Sequence, residues 1–227
     1  MSENERDPEL LLPSEFIAAG GVDDWRMDSE GVGAVFRTGS FAEGAAFAAR
    51  LGGIAGIEPW MPDVDLRHDR VFVRVTHVSA EWFGPSRKGL EICRAVSAIA
   101  GEMGLQPAPA DVQAFLFIVE ALDIPKVMPF WEAVLGYVRR PDSPDEDLMP
   151  PGGRGPFVWF EQLDKPRDER NTMHVAVWVA PEVAEARVAA ALAAGGSIVR
   201  DQFAPAWWTL ADPEGNEADI ATVQGRG

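Results

Sequence analysis

A single cysteine and three histidines are all that this 227-residue chain offers of the residues that most often hold metals or act as nucleophiles. One cysteine makes no internal disulfide, and a chain without such staples fits a reducing, cytoplasmic setting. The histidines, His68, His77 and His174, lie far apart, so a mechanism needing a histidine cluster is starved from the start. Basic residues are scarce too. Twenty Lys+Arg against 36 Asp+Glu leave a formal charge of −16, and both halves of the chain share the acidic excess. A phosphate backbone would be repelled by either half, which argues against nucleic acid as a partner. No apolar run approaches the length of a membrane span, and Met1 to Pro8 is acidic and polar rather than signal-like, so neither a membrane protein nor a secreted one is expected.

What is present is patterned. With 47% hydrophobic residues the chain has ordinary globular composition. Asp7-Pro8 reads as the start of a short helix ending near Gly20-Gly21. Trp25 and Val32 to Arg37 read as two strands. Ser40-Phe-Ala-Glu43 is a capping box, followed at helical spacing by Phe47, Leu51 and Ile54. Asp63 to Leu66 and Arg70 to Val78 form another strand pair, with Val71, Val73, Val75 and His77 on one face. Leu90, Cys93, Val96, Ala100 and Met103 line a closing helix stopped by Gly104. The expected order is α-β-β-α-β-β-α, an α+β layer. The Pro-rich segment 107–111 reads as a linker between a first domain, 1–106, and a second, 112–227.

The second half reads as two β-α-β-β-β units, a weak internal repeat that would curve a sheet around a small pocket. Val112 to Val119 is its first strand candidate, Asp123 caps a helix ended by Gly136, and Tyr137 to Arg140 and Phe157 to Gln162 are strands. Between them, Pro141 to Gly155 reads as an acidic loop. Met173 to Val179, a helix over Glu182 to Ala194, and strands at Ile198 to Asp201, Trp207 to Leu210 and Ala218 to Val223 complete the second unit.

Over residues 9–104 the run Pro59-Trp-Met-Pro-Asp63 with Arg70-Val-Phe-Val-Arg-Val-Thr-His77, the capping box and the element order resemble the pterin-4a-carbinolamine dehydratases. In that family two adjacent histidines precede a proline and a third stands in the Thr-His; together they act as acid and base. The resemblance makes His77 the catalytic candidate. Trp60 and Met61 stand where the histidine pair would be, before Pro62. Loss of water from a carbinolamine needs proton exchange near neutral pH, which neither side chain supplies. They would instead wall the pocket, and His68 sits near a turn.

Residues 112–224 resemble the glyoxalase/bleomycin-resistance, or vicinal oxygen chelate, class. The motifs are Pro129-Phe-Trp-Glu-Ala-Val-Leu-Gly-Tyr137, Val158-Trp-Phe-Glu-Gln162, Asn171-Thr-Met-His174, Ala194-Gly-Gly196 and Asp212-Pro-Glu-Gly-Asn-Glu217. Metal-dependent members use one ligand from each of four strands, and the resemblance offers Glu161, His174 and Asp219 as candidate ligands for a divalent metal. The first strand offers only Gln113. Trp159, Trp178, Trp207 and Trp208 lie on expected strands. Because alternate strand residues face opposite ways, one of Trp207 and Trp208 should face the pocket. Tryptophans around a cavity suit a flat ligand.

The sequence therefore implies a dehydratase-like α+β domain followed by a glyoxalase-like domain. The leading expectation is binding, with or without dehydration, of a pterin or similar heterocycle. Two alternatives stay open: sequestration of a small aromatic molecule without metal, and a metal-dependent glyoxalase- or dioxygenase-type enzyme centred on His174. Free antiparallel sheet edges suggest a homodimer.

Overall fold

The apolar residues settle into two separate cores, one in each of the two units into which the chain divides, Met1–Phe115 and Leu116–Gly227. This computed structural model describes residues 7, 9–54, 57, 62–114, 116–153, 155–166, 174–179, 181–222 and 224. No helix among them is long and apolar enough to cross a membrane.

The first unit runs α1 (Pro13–Ala18), β1 (Trp25–Asp28), β2 (Gly31–Arg37), α2 (Phe41–Leu51), β3 (Asp63–Leu66), β4 (Arg70–Arg74), β5 (His77–Val78), β6 (Phe83–Gly84), α3 (Arg87–Glu102) and β7 (Gln106–Pro107). Its antiparallel sheet has the order β1-β2-β4-β3, and β7 also pairs with β2. Ser40 accepts the Glu43 N–H and Ser86 the Gly89 N–H, which start α2 and α3. The core joins Trp25, Ala34, Phe36, Val71 and Val73 from the sheet to Phe47, Leu51, Cys93 and Val96 from the helices.

Three expectations for this unit change. The first helix begins later than Asp7-Pro8: Pro13 takes its first position, where a missing N–H costs nothing, and the Glu15 carboxylate accepts the Leu12 N–H at 2.6 Å. Pro8 lies outside the described residues. The strand expected over 70–78 stops at Arg74. Its ladder ends because the Thr76 hydroxyl takes the Val32 N–H and donates to the Glu30 carbonyl, a side chain replacing the next backbone pair. Gly31, at φ +113°, leaves the space that Thr76 fills. His77 then opens a separate hairpin, pairing with Gly84 rather than continuing the Val71–Val75 face. The Pro-rich segment expected as a linker belongs to the first unit. Gln106 and Pro107 pair with Arg37 and Phe36, the Ala108 N–H bonds to Val35, and Asp111 makes ion pairs with Arg37 and Arg70. Proline tolerates this place because it lies at a sheet edge.

The second unit holds two β-α-β-β-β repeats. The first is β8 (Phe117–Ala121), α4 (Ile124–Leu135), β9 (Val138–Arg139), β10 (Asp147–Met149) and β11 (Val158–Gln162). The second is β12 (Val175–Trp178), α5 (Pro181–Ala193), β13 (Ser197–Arg200), β14 (Trp207–Ala211) and β15 (Glu217–Ala221). Each repeat makes a four-stranded sheet in which the first strand pairs in parallel with the fourth: β8-β11-β10-β9 and β12-β15-β14-β13. One core spans both repeats, joining Phe130, Leu148 and Phe160 to Leu210, Ala218 and Ile220. Gly136, at φ +68°, stops α4 in the left-handed conformation that glycine adopts freely.

Here too the expectations shift. The first strand lies at 117–121 rather than 112–119. The acidic segment Pro141 to Gly155 contains β10, whose Leu148 is fully buried. That buried leucine, between Asp147 and Met149, is enough to dock a short strand.

Candidate functional site

The central strand of the second repeat, β15, separates two environments by simple alternation. Ala218 and Ile220 point into the core with Leu210 of β14. Glu217, Asp219 and Ala221 take the other face, opposite Ala211, Thr209 and Trp207 of β14. On the other side of β15, Ala176 of β12 is the register partner of Asp219, and His174 stands two residues earlier on the same side. The result is a polar set around one carboxylate. The Thr209 hydroxyl donates to Asp219 Oδ1 at 2.7 Å, and His174 Nε2 lies 3.2 Å from Asp219 Oδ2.

The burial of these groups is graded. Thr209 is buried, the Asp219 side chain keeps 16% of its exposure, and that of His174 keeps 46%. Among the described residues no lysine or arginine pairs with Asp219; its ion-pair partner is His174. Trp207 lies in the adjoining row of this face and stacks on Phe203, with ring centroids 4.2 Å apart and planes within 18°. Phe203 itself is 41% exposed.

Of the tryptophans expected to line a pocket, Trp207 is half-buried on the Asp219 face and Trp208 packs against the core instead. The alternation of β14 puts one of the pair on each side. Trp159 alternates with the core residues Val158 and Phe160, which sends it with Glu161 to the face away from the core of the first repeat. Trp178 closes β12 in register with Ala221, and its side chain lies outside the described set. Trp60 and Met61 also fall outside the described residues; Pro62, half-buried, directly precedes β3.

The candidate metal ligands come together only in part. His174 and Asp219 meet, whereas Glu161 has Glu120 as its register partner in a different sheet. Among the described residues no three His, Cys, Asp or Glu side chains are grouped so as to hold a metal ion. Gln113 is exposed and precedes β8, off the strand where a ligand would be required. The described donors therefore do not by themselves complete a site for a divalent ion. Thr209 is the member of the set that sequence reading missed. Its signal is positional, opposite Asp219 across β14 and β15, and appears only once the register is known.

The motif Asp212-Pro-Glu-Gly-Asn216 braces the fold beside this face. Buried Asp212 accepts the Glu214 and Asn216 N–H groups, the Asn216 side-chain amide and, at 3.0 Å, the Trp131 indole N–H. Glu214 accepts the N–H groups of Leu122 and Asp123 where β8 gives way to α4. The turn thus ties the two repeats together.

In the first unit His77 is half-buried on the β5–β6 hairpin, and His68 is at the β3–β4 turn with 93% of its side chain exposed. Near the hairpin's start Glu30 pairs with Arg74, both largely buried. Burial holds the Glu30 carboxyl above its ordinary range despite the Arg74 charge. Cys93, in the core side of α3, has its thiol pushed well up by burial, which suits an inert packing residue rather than a nucleophile.

Comparison with known proteins agrees with the second unit's architecture. Residues 117–221 match the family model of the glyoxalase-like domain, so the C-terminal half carries such a domain. The match spans less than half of the chain. A search of the curated proteins finds no match. Among solved structures, a glyoxalase-related enzyme from Fulvimarina pelagi is 19% identical, covering 48% of this chain and 87% of its own at a TM-score of 0.39. A glyoxalase/bleomycin resistance protein from Albidiferax ferrireducens is 18% identical over 48% of this chain and 97% of its own, TM-score 0.36. A mutant of the fosfomycin resistance protein FosX from Listeria monocytogenes, complexed with Mn(II) and dihydroxypropylphosphonic acid, is 14% identical over 50% and 95%, TM-score 0.38.

Proposed function

We propose that the protein binds a small, flat organic molecule, a pterin or similar heterocycle, and that its glyoxalase-like half holds this ligand on the Asp219 face of the second repeat. The observation that carries the reading is the set Trp207, Thr209, Asp219 and His174 on the coreless side of one sheet. An aromatic surface beside a few fixed polar groups is what binding sites for such molecules require: area from the ring, orientation from the polar atoms. Because the described donors do not by themselves complete a metal site, no step is routed through one. The ligand is bound rather than chelated, as in the sequestration mode that the bleomycin-resistance resemblance implies. Trp159, Trp178 and, in the first unit, Trp60, Met61 and Pro62 are the further proposed contacts.

A second reading concerns the first unit, and the order α1-β1-β2-α2-β3-β4-α3 with a half-buried His77 favours it. In a dehydratase-like reaction His77 takes the proton from a ring nitrogen of a carbinolamine as the carbon–oxygen bond breaks. The hydroxyl leaves as water with a proton delivered by the same imidazole. Trp60 and Met61 exchange no proton, so His77 carries both transfers.

The same proposal sets the protein in the reducing cytoplasm, where lone Cys93 stays a thiol. It also pairs the chain as a homodimer, which would cover edge residues such as Val138, Ile198 and Val199. Quenching of tryptophan fluorescence by a panel of flat heterocycles tests the main reading. A response weakened at least about tenfold in Trp207→Ala is expected, and silence across the panel overturns it. A dehydratase assay on wild type and His77→Ala tests the second, which equal rates would end.

A further inference from the structure

Asp219 presents an unusual kind of carboxylate in so acidic a chain. It sits on the central strand of its sheet, mostly covered, and its partners are a hydroxyl and an imidazole rather than a guanidinium or ammonium. Other covered carboxylates among the described residues are closed off, by arginine where Glu30 meets Arg74 and Asp142 and Asp147 meet Arg140, or by backbone N–H groups, an amide and an indole at Asp212. A carboxylate has about four acceptor sites, two on each oxygen. Thr209 takes one on Oδ1 and His174 faces one on Oδ2, so one acceptor site remains on each oxygen. Thr209, buried and fixed by the β14–β15 register, holds the group from one side, and His174 holds it from the other. Their grip fixes the orientation of the carboxylate and leaves a two-point acceptor edge beside the Trp207 ring.

From this we infer that the ligand of the second unit is a planar heterocycle carrying two adjacent N–H donors, an aminopyrimidine or amidine edge, recognised by both oxygens of Asp219 while its ring lies along Trp207. The inference rests on the proposed ligand-binding role of this face and adds the ligand's donor pattern. A paired N–H edge matches the two remaining acceptor sites in spacing and polarity, as the guanidinium fork does in protein ion pairs. A ring that lacks one donor leaves an oxygen of a largely buried carboxylate unmatched, and sites built to hydrogen-bond a group discriminate strongly against the analogue without it. His174 and Thr209 act here as positioning residues, since they reach the ligand only through Asp219.

The test is calorimetric titration of the whole chain with aminoquinazolinone and with quinazolinone, which differ in the exocyclic amine alone. Wild type should bind the amino compound at least about tenfold more tightly. In Asp219→Asn, which keeps the shape and the Thr209 contact but turns one acceptor into a donor, that preference should vanish because the amino compound loses more affinity than quinazolinone does. Trp207→Ala should weaken both compounds alike and preserve their ratio. If Asp219→Asn keeps the wild-type preference, or weakens both rings equally, the donor-edge inference is overturned while the face remains a ligand site. If wild type binds neither ring, the ligand role of the face fails and the inference fails with it.

Discussion

The second repeat of the second unit treats its carboxylates differently from the first unit and from its own first repeat. In the first unit acidic side chains are met by arginine, Glu30 by Arg74, Asp69 by Arg70, and Asp111 by both Arg37 and Arg70, and in the first repeat Arg140 meets Asp142 and Asp147. In the second repeat of the second unit, Asp219 is matched by a hydroxyl and a histidine, and Asp212 is used up by a turn and an indole. A carboxylate closed off by a guanidinium has little left to offer a ligand. One held by a hydroxyl and an imidazole keeps spare acceptor sites. The contrast assigns fold-building to the first set and recognition to Asp219.

Perturbing the cores separates the units most sharply. Phe36→Ala, removing a fully buried ring from the first core, should cost that unit about 3–5 kcal/mol. Hydrogen-exchange mass spectrometry should find protection lost in β2 and α2 and kept in β14 and β15; loss in both would break the division into two cores. Next in size is Asp212→Ala. It leaves the Trp131 indole N–H and the Asn216 backbone N–H without acceptors in a covered site, at about 2–4 kcal/mol. Chemical denaturation read by a second-unit probe measures it, and a loss below about 0.5 kcal/mol would contradict a structural role for this carboxylate.

Arg74→Ala should cost about 1–2 kcal/mol at neutral pH, less than a fully buried pair because part of Glu30 reaches water. The sign of its pH dependence is fixed. Burial already holds Glu30 above its ordinary 4.5, so a charged Glu30 weakens the folded state as pH rises through that raised value. Without Arg74 the raise grows, and the penalty should be largest near neutrality and shrink as the pH falls toward the mid-fours. Denaturation at several pH values checks this; a penalty that grows on acidification would contradict it. The smallest effects belong to the Asp219 face. Asp219→Asn should change stability by under about 0.5 kcal/mol, because Asn keeps an acceptor for Thr209 and the His174 side chain, 46% exposed, reaches water. Melting curves of both proteins with and without Mn²⁺ should coincide, since among the described residues no three donors group around His174 and Asp219.

Much of this architecture is legible in the residues. Ser40 and Glu43, Asp123 and Gly136, and the two-fold β-α-β-β-β pattern announce their elements through local capping and alternation. What the residues conceal is held by distant partners. β10 hides in an acidic stretch because its one core residue, Leu148, follows the acidic run Asp145-Glu146-Asp147. β7 hides in prolines because it needs few N–H donors at an edge. The break after Arg74 depends on Thr76 filling the space beside Gly31, a contact no spacing rule foresees. At the site, alternation was enough to put one of Trp207 and Trp208 outward, and the resemblance was enough to pick out His174 and Asp219. That Glu161 stands apart from the pair, and that Thr209 joins it, emerged only with strand order and register, which are properties of the assembled sheet.

The most direct test uses the indole N–H signals of the eight tryptophans in a heteronuclear NMR titration of the whole protein with aminoquinazolinone. Trp25 and Trp131 have their indole N–H groups bonded to Ser97 and Asp212, one in each core, and serve as internal references. The account predicts that the Trp207 signal and the His174 ring signals move together on ligand addition while those of Trp25 and Trp131 stay in place. Shifts confined to tryptophans of the first unit, or no shift at Trp207, would contradict it.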